Sequence, residues 1–376
     1  MQIGEIVRKW IFFTCVIICA SMMIFCGCVN REQSDTREVS IAKLKAENEK
    51  YIDSIKKIKT KNLSVSNSLI LSIPDKVISG EYICADGYQN NSKKIFSHYV
   101  SNYDEKNITI NDSYYPTGPD YNDPETGLTM SIGCTGFFSY MTKAFTGQDI
   151  FDQSKNNLIK TYAVGDLDSS DHYSLSDGTD ISVADTVKMV QEFADDYVKA
   201  SGFENGLKVL RVNLYQNDAG YYYEIDLSQS VDEMPILDYH PIYDDDETIV
   251  VPSSFAYVMG DGIEDFAVNS LFKPYKADSI DKVIDPAEAV RKVSEYLAKN
   301  MNLELKRVSL ECSMIKKDST DDTKNGKTEA EIVFRSNDIY EAVPCWIFYF
   351  DESAGKEVYA RYNISNGKIV FVNNKG

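Results

Sequence analysis

Histidine is scarce in this chain of 376 residues: His98, His172 and His240 are the only three, and none has an HExxH or H-x-H neighbour. That removes the common helical zinc sites and leaves no motif-borne histidine base. There is no GxSxG elbow, so the hydrolase turn that presents a serine is absent too. Cations are also in deficit, with 39 Lys+Arg against 58 Asp+Glu and a formal charge of −19. Nucleic-acid binding needs basic patches that release counterions, so this balance argues against it. The apolar run Trp10 to Phe25 has 16 residues, short of the roughly 20 of a membrane span, with an uncleaved N-terminal anchor helix as the alternative to a cleaved signal.

That run has the length of a signal peptide, follows Arg8 and Lys9, and ends at Phe25-Cys26-Gly27-Cys28. The ending resembles the lipobox of bacterial lipoproteins, in which a small residue precedes the acylated cysteine. The resemblance implies cleavage before Cys28, a diacylglycerol on its thiol, and a body held on the extracytoplasmic face of the membrane. Phe25 departs from the usual leucine. Cys26 fits less well, because Phe25 is large for the position before a cut. Removing residues 1–27 takes away Glu5, Arg8 and Lys9, a net +1, and leaves −20. An anionic membrane would repel such a body, so the lipid must hold it.

Of eight cysteines, Cys84, Cys134, Cys312 and Cys345 lie beyond the lipobox. Four permit three pairings. The chain is long enough to build a core without staples, which favours buried thiols. With no CxxC pair beyond residue 28 and no Cys/His cluster, neither a zinc site nor a cofactor is expected.

Residues 28–62 are charged and Gly-free, with a thin apolar stripe (Ile41, Leu44, Tyr51, Ile55, Ile58). They read as a tether helix. Residues 63–175 carry short apolar runs between turn clusters and read as a small, mainly β domain, with a short helix at Phe137–Phe145. The rest contains an internal repeat. Ile181-Ser-Val-Ala-Asp-Thr-Val187 and Ile284-Asp-Pro-Ala-Glu-Ala-Val290 are 103 residues apart. Both read as capped helix starts, at Ser182 and Asp285. After each, alternating runs predict strands: Leu210–Leu214 against Val308–Cys312, Tyr223–Leu227 against Ala330–Phe334, and Pro235–Leu237 against Pro344–Trp346. Asp261-Gly262 and Asn366-Gly367 predict closing two-residue hairpin turns. The expectation is an α+β chain, with tandem modules of one helix packed on an antiparallel sheet at 176–278 and 279–376. A small mainly-β domain and a lipoprotein signal and tether would precede them.

This order resembles PepSY or cystatin-like modules. Paired behind an N-terminal anchor, such modules are similar to the YycH and YycI accessory proteins, which bind a membrane sensor kinase. The whole chain also resembles the clostridial-type surface lipoproteins, a family without assigned activity. The resemblance rests on pattern and carries over no functional residue.

Little points to chemistry. Ser54-Ile-Lys-Lys57 and Ser313-Met-Ile-Lys316 match SxxK by chance, since no K-T-G partner exists. Asn325-Gly-Lys-Thr328 lacks the leading glycine of a phosphate loop. Asp244–Glu247 and Asp120-Tyr-Asn122-Asp123-Pro-Glu125 offer hard oxygens for Ca²⁺ but lack a chelating loop, so no metal is assigned. Tyrosine is plentiful, 25 in all. Tyr99, Tyr103, Tyr114, Tyr115 and Tyr121 sit in a turn-rich, Asn/Asp-rich stretch. They form a candidate binding surface, with core packing as the alternative. Three function classes follow. The favoured one is a non-enzymatic lipoprotein that binds or regulates a membrane or envelope protein such as a sensor kinase. The others are a sugar- or peptide-binding lipoprotein and a wall-polymer hydrolase built on paired carboxylates.

Overall fold

The most heavily buried segments are two long strands, Leu303–Lys316 and Ile339–Asp351, paired antiparallel from Arg307–Tyr349 to Lys316–Tyr340. Both are buried on both faces, the pattern of strands covered from two sides. Leu310, Met314, Trp346 and Phe348 point into one core. Val343, Cys345, Ile347 and Tyr349 point into another. In a computed structural model the described residues are 37–84, 91–111, 118–133, 135–146, 156–237, 242–244, 247–250, 252–260, 262–317, 338–354 and 356–373. Cys28 and the expected signal lie outside them. Among the described residues no helix is long and apolar enough to cross a membrane.

Two large sheets, of nine and ten strands, dominate residues 39–376. The nine-stranded sheet is built around the two long strands. The ten-stranded sheet is built around Gly206–Asn217 and Gly220–Val231, which pair antiparallel. Six α-helices are described: α1 Ile41–Ala46, α2 Asn48–Lys56, α3 Ser92–Tyr99, α4 Lys143–Thr146, α5 Val183–Ser201 and α6 Pro286–Tyr296. Helices α1, α2 and α6 cover one face of the nine-stranded sheet. Helices α3 and α5 cover one face of the ten-stranded sheet.

The local signals operate as their chemistry requires. Ser182 Oγ accepts from the Asp185 amide at 3.0 Å and starts α5. Asp285 Oδ1 accepts from the Ala287 amide at 2.9 Å and starts α6 behind Pro286.

The architecture expected from the sequence is overturned. The chain is mostly β, with few helices, and it is not a tandem of helix-on-sheet α+β modules. Strands from residues 63–175 are spread over both sheets rather than forming a domain of their own. Leu63–Ser72 pairs in parallel with Leu303–Lys316, and Ile78–Cys84 pairs with Ile339–Asp351. Asn157–Tyr162 pairs with Gly206–Asn217, and Phe138–Met141 with Ile263–Val268. Nor is 41–56 a tether. Leu44, Tyr51 and Ile55 are buried in the same core as Trp346, because the two short helices break at Glu47 and turn one stripe inward. Phe138–Met141 is a strand rather than a helix. The Ile236 amide still donates to the Gln229 carbonyl of its own sheet at 2.8 Å, and the next amide, of Leu237, donates to the Cys312 carbonyl of the other sheet at 2.8 Å. Residues 364–367 form the loop at Asn366-Gly367, closed by the Asn363 amide on the Lys368 carbonyl at 2.9 Å. Four residues lie between the closing pair, so the turn is not the two-residue form, and Gly367 takes φ 73° within it. Cys84, Cys312 and Cys345 are buried thiols in no disulfide, and Cys134 lies outside the described residues.

Truncating Ile55 distinguishes a core helix from a tether. Ile55→Ala should cost about 2–5 kcal/mol, the range for a buried aliphatic side chain, where a solvated tether would lose less than about 0.5. Denaturant unfolding followed by fluorescence of buried Trp346, whose indole donates to the Ile284 carbonyl at 3.0 Å, measures the difference.

Candidate functional site

A β-bulge is the origin of the most polar region. The register of Gly206–Asn217 on Gly220–Val231 shifts between Val209 and Arg211. Bulges re-aim side chains, and here Leu210 packs against Tyr349 and Tyr359 of the other sheet. Arg211 turns toward the same sheet. Its Nε donates to Asp226 Oδ2 at 2.5 Å and its Nη1 to Glu357 Oε1 at 2.7 Å. On the facing sheet Arg307 forks onto Glu352, with Nη2–Oε1 at 2.5 Å and Nε–Oε2 at 3.3 Å. It also reaches Glu311 Oε1 at 3.3 Å and stacks 3.7 Å over the Tyr349 ring. Arg361, fully buried, donates to Ser313 Oγ at 3.0 Å.

Three arginines thus face five carboxyls: Asp226, Glu224, Glu311, Glu352 and Glu357. Two of the five, Glu224 and Glu311, are pushed above the usual carboxylate range, chiefly by burial. An excess of two acids is matched by two carboxyls that favour the proton. Glu311 also accepts from the Tyr349 hydroxyl at 2.8 Å.

Beside this network lies a cleft of about 580 Å³, lined among others by Ser66, Thr161, Lys306, Arg307, Glu352 and Ser353. Its size suits a small polar ligand or a peptide side chain. Its two buried ionic groups, Arg307 and Glu352, are locked on each other by charge-assisted bonds. Neither is free to act as an acid, a base or an anion receptor. What the walls offer is hydrogen bonding.

From Thr161 a row that is polar except at Met141 crosses seven strands in register: Thr161, Asn213, Glu224, Tyr257, Asp265, Met141, Thr129. Thr161 donates to Asn213 at 3.1 Å, and the Tyr257 hydroxyl donates to Glu224 at 2.8 Å. Asp265, 5% exposed, has an Oδ1 with no hydrogen-bond partner. Burial raises its carboxyl to about 7.

Of the tyrosines singled out from the sequence, Tyr99, Tyr103 and Tyr121 pack in one core. Tyr121 is fully buried, 5.4 Å from the Tyr103 ring and 5.6 Å from Phe96. Tyr99 stacks on Phe193 of α5 at 5.4 Å. Both rings pack in the core under α3 and α5, and burial pushes the Tyr99 hydroxyl up. Tyr114, Tyr115 and Cys28 lie outside the described residues. Asp123 spends its carboxylate on the Glu125 amide at 3.0 Å and the Thr126 hydroxyl at 2.6 Å, and those bonds lower its pKa. The Asp244–Glu247 cluster lies partly outside the described residues. The cleft and the arginine network were missed, although one signal existed: Arg211 and Arg361 each stand between apolar neighbours, in Leu210-Arg211-Val212 and Ala360-Arg361-Tyr362.

No family model matches the chain, and no curated protein matches it. Among solved structures it is similar to an uncharacterised protein from Eubacterium rectale ATCC 33656, 13% identical, with a TM-score of 0.51. The match covers 87% of this chain and 99% of that one. It bears on the fold and carries no activity.

Glu352→Gln should cost about 3–5 kcal/mol by stranding part of the Arg307 charge, and Arg307→Met with Glu352→Met should recover most of it. Denaturant midpoints of the three proteins test this. Asp265 gives a pH dependence. Its folded pKa lies above the unfolded value of about 3.9, so the native state holds the extra proton. Its penalty is absent below about pH 4 and complete above about pH 7, with an upper bound of ~4 kcal/mol. Asp265→Asn should therefore stabilise the protein at pH 8 and change little at pH 4, measured by thermal unfolding across that range.

Proposed function

We propose that the chain is an extracytoplasmic lipoprotein, held on the membrane by a diacylglycerol on Cys28, whose body binds a segment of a membrane or envelope protein without turning it over. The observation that supports protein binding is the strand Asn157–Tyr162. It ends the ten-stranded sheet and, among the described residues, pairs only with Gly206–Asn217. Consecutive residues of a strand point to opposite faces, and here both are exposed and apolar: Leu158 at 38% and Ile159 at 47%. An edge with free backbone groups and apolar residues is a template for another strand. An extended segment would add to it by main-chain bonds, with side chains conferring selectivity. Thr161 of the same strand lines the polar cleft, so edge and cleft form one continuous surface.

The Arg307–Glu352 lock favours binding over catalysis, because the ionic pair at the cleft is already satisfied. The lipobox resemblance supports the address. Two variants test the reading. Cys28→Ala should lose incorporation of labelled palmitate and leave the membrane. Leu158→Lys with Ile159→Lys should keep its melting temperature but lose a partner that the wild type recovers stoichiometrically from detergent-solubilised native membranes. Continued labelling of Cys28→Ala would refute the anchor. Equal recovery of the partner by the edge variant would refute the docking edge.

A further inference from the structure

A second groove has the opposite character to the rest of the molecule. It lies where α2 and α6 end, has a volume of about 620 Å³, and is lined by Lys57, Lys59, Lys61, Arg291 and Lys299 with Glu295 as its one acid. A local excess of four positive charges thus sits in a chain whose formal charge is −19. Some lysines elsewhere find carboxylates, as Lys160 does at Asp171 and Lys316 at Asp338, and those that do not, such as Lys94 and Lys199, are not gathered around one groove with three or four others. None of these five cations forms an ion pair or a side-chain hydrogen bond among the described residues.

The segment after α2 explains how they are presented. From Lys57 to Asn62 exposure alternates: Lys57, Lys59 and Lys61 are exposed, Ile58 and Thr60 are partly covered, and Asn62 is buried. Ile58 packs on the core. Asn62 Nδ2 donates to the Ser294 and Leu297 carbonyls at 2.6 and 3.1 Å. The segment is pinned by its apolar and amide residues, so its three ammonium groups face water on a fixed backbone.

Helix dipoles offer a simpler account, since cations are favourable at helix C-termini. Two helix ends together present about one negative charge, and Asn62 already serves two of the α6 carbonyls. Five cations exceed that by several charges. In so acidic a chain, the self-attraction of the protein should draw carboxylates toward such a cluster. Their absence leaves the cluster to an external anion.

We propose that this groove binds a linear, phosphate-bearing polyanion through Lys57, Lys59, Lys61, Arg291 and Lys299. Several fixed cations along one groove match a chain of repeated charges better than a single small anion. The surrounding acidic surface would repel the same polymer elsewhere and so confine it to this site. The proposal is independent of the Cys28 anchor and of the Asn157–Tyr162 edge.

The test is calorimetric titration of the detergent-solubilised full chain with long-chain inorganic polyphosphate. Binding should be measurable at about 50 mM salt and should weaken on the order of 100-fold by about 200 mM, as release of counterions by five cations requires. Lys57→Glu/Lys59→Glu/Lys61→Glu should abolish it. Lys188→Glu/Lys199→Glu/Lys208→Glu, with the same change in net charge, should stay much closer to wild type. Unchanged near-ultraviolet dichroism would show that each variant folds, and Lys→Gln at positions 57, 59 and 61 replaces the first if it does not. Absence of binding at low salt, or equal loss in both triple variants, would overturn the proposal. Flotation with phosphatidylglycerol and phosphatidylcholine vesicles separates the sources. Equal binding to both supports a soluble polymer. A preference for the anionic vesicles that the 57/59/61 variant loses would overturn it in favour of lipid headgroups.

Discussion

Charge buried between two sheets has to be neutralised where it stands, and the fold depends on how this chain does so. Arg211 and Arg307 come from different sheets: Arg307 pairs beside its own sheet with Glu352, whereas Arg211 of the ten-stranded sheet crosses to Glu357 of the facing one. Such a contact is costly if either member is missing, since the desolvation penalty then stands alone. It therefore works as a register pin. Leu210, Val343, Ile347 and Tyr359 form an apolar cluster that many small slides of one sheet over the other would tolerate. The contacts of Arg211 across the sheets would not tolerate them. The carboxyls that exceed the available guanidinium groups equal in number those whose pKa burial raises, Glu224 and Glu311.

The outer layers follow from this. Once the faces that meet are fixed, each sheet has one remaining apolar face, and helices close it. Helices α1, α2 and α6 share their core with Trp346 and Phe348, and α5 packs Val190, Ala194 and Tyr197 over Val212 and Phe266. The edges remain open because nothing in the chain closes the sheets into a barrel. That is how Asn157–Tyr162 comes to carry exposed apolar residues beside a hydrogen-bonding cleft.

Local structure was legible in the sequence and partnership was not. Ser182 and Asp285 announce their helices because a cap acts over three residues. The alternation in Tyr223–Leu227 announces a strand because pleating is local. Which strands lie side by side depends on contacts far apart in the chain, such as Leu63 with Leu303. No periodicity encodes these, so a sheet extended by an N-terminal strand looked like a module that closed by itself. The stripe Ile41, Leu44, Tyr51, Ile55 looked too thin for a core helix because it was judged as one helix. Broken at Glu47, it supplies two buried faces. The tyrosine-rich stretch misled for a related reason. Its polar neighbours suggested exposure, yet Tyr99 and Tyr121 point away from them into the aromatic core.

The candidate cleft was hidden because its ionic residues look like errors in a strand pattern. An arginine between apolar neighbours, as in Leu210-Arg211-Val212 or Ala360-Arg361-Tyr362, reads as a lapse in alternation rather than as a signal. The physics gives such residues a meaning. A lone charge on a buried strand face must be compensated, so each implies an acidic partner on whatever packs against it. Applied to this chain, that rule points to Asp226, Glu352 and Glu357 as a group, and so to the surface on which the sheets meet. It also separates two kinds of cation: those consumed inside, whose carboxylates hold the fold, and the five around the 57–62 segment, which no carboxylate of the described residues has claimed.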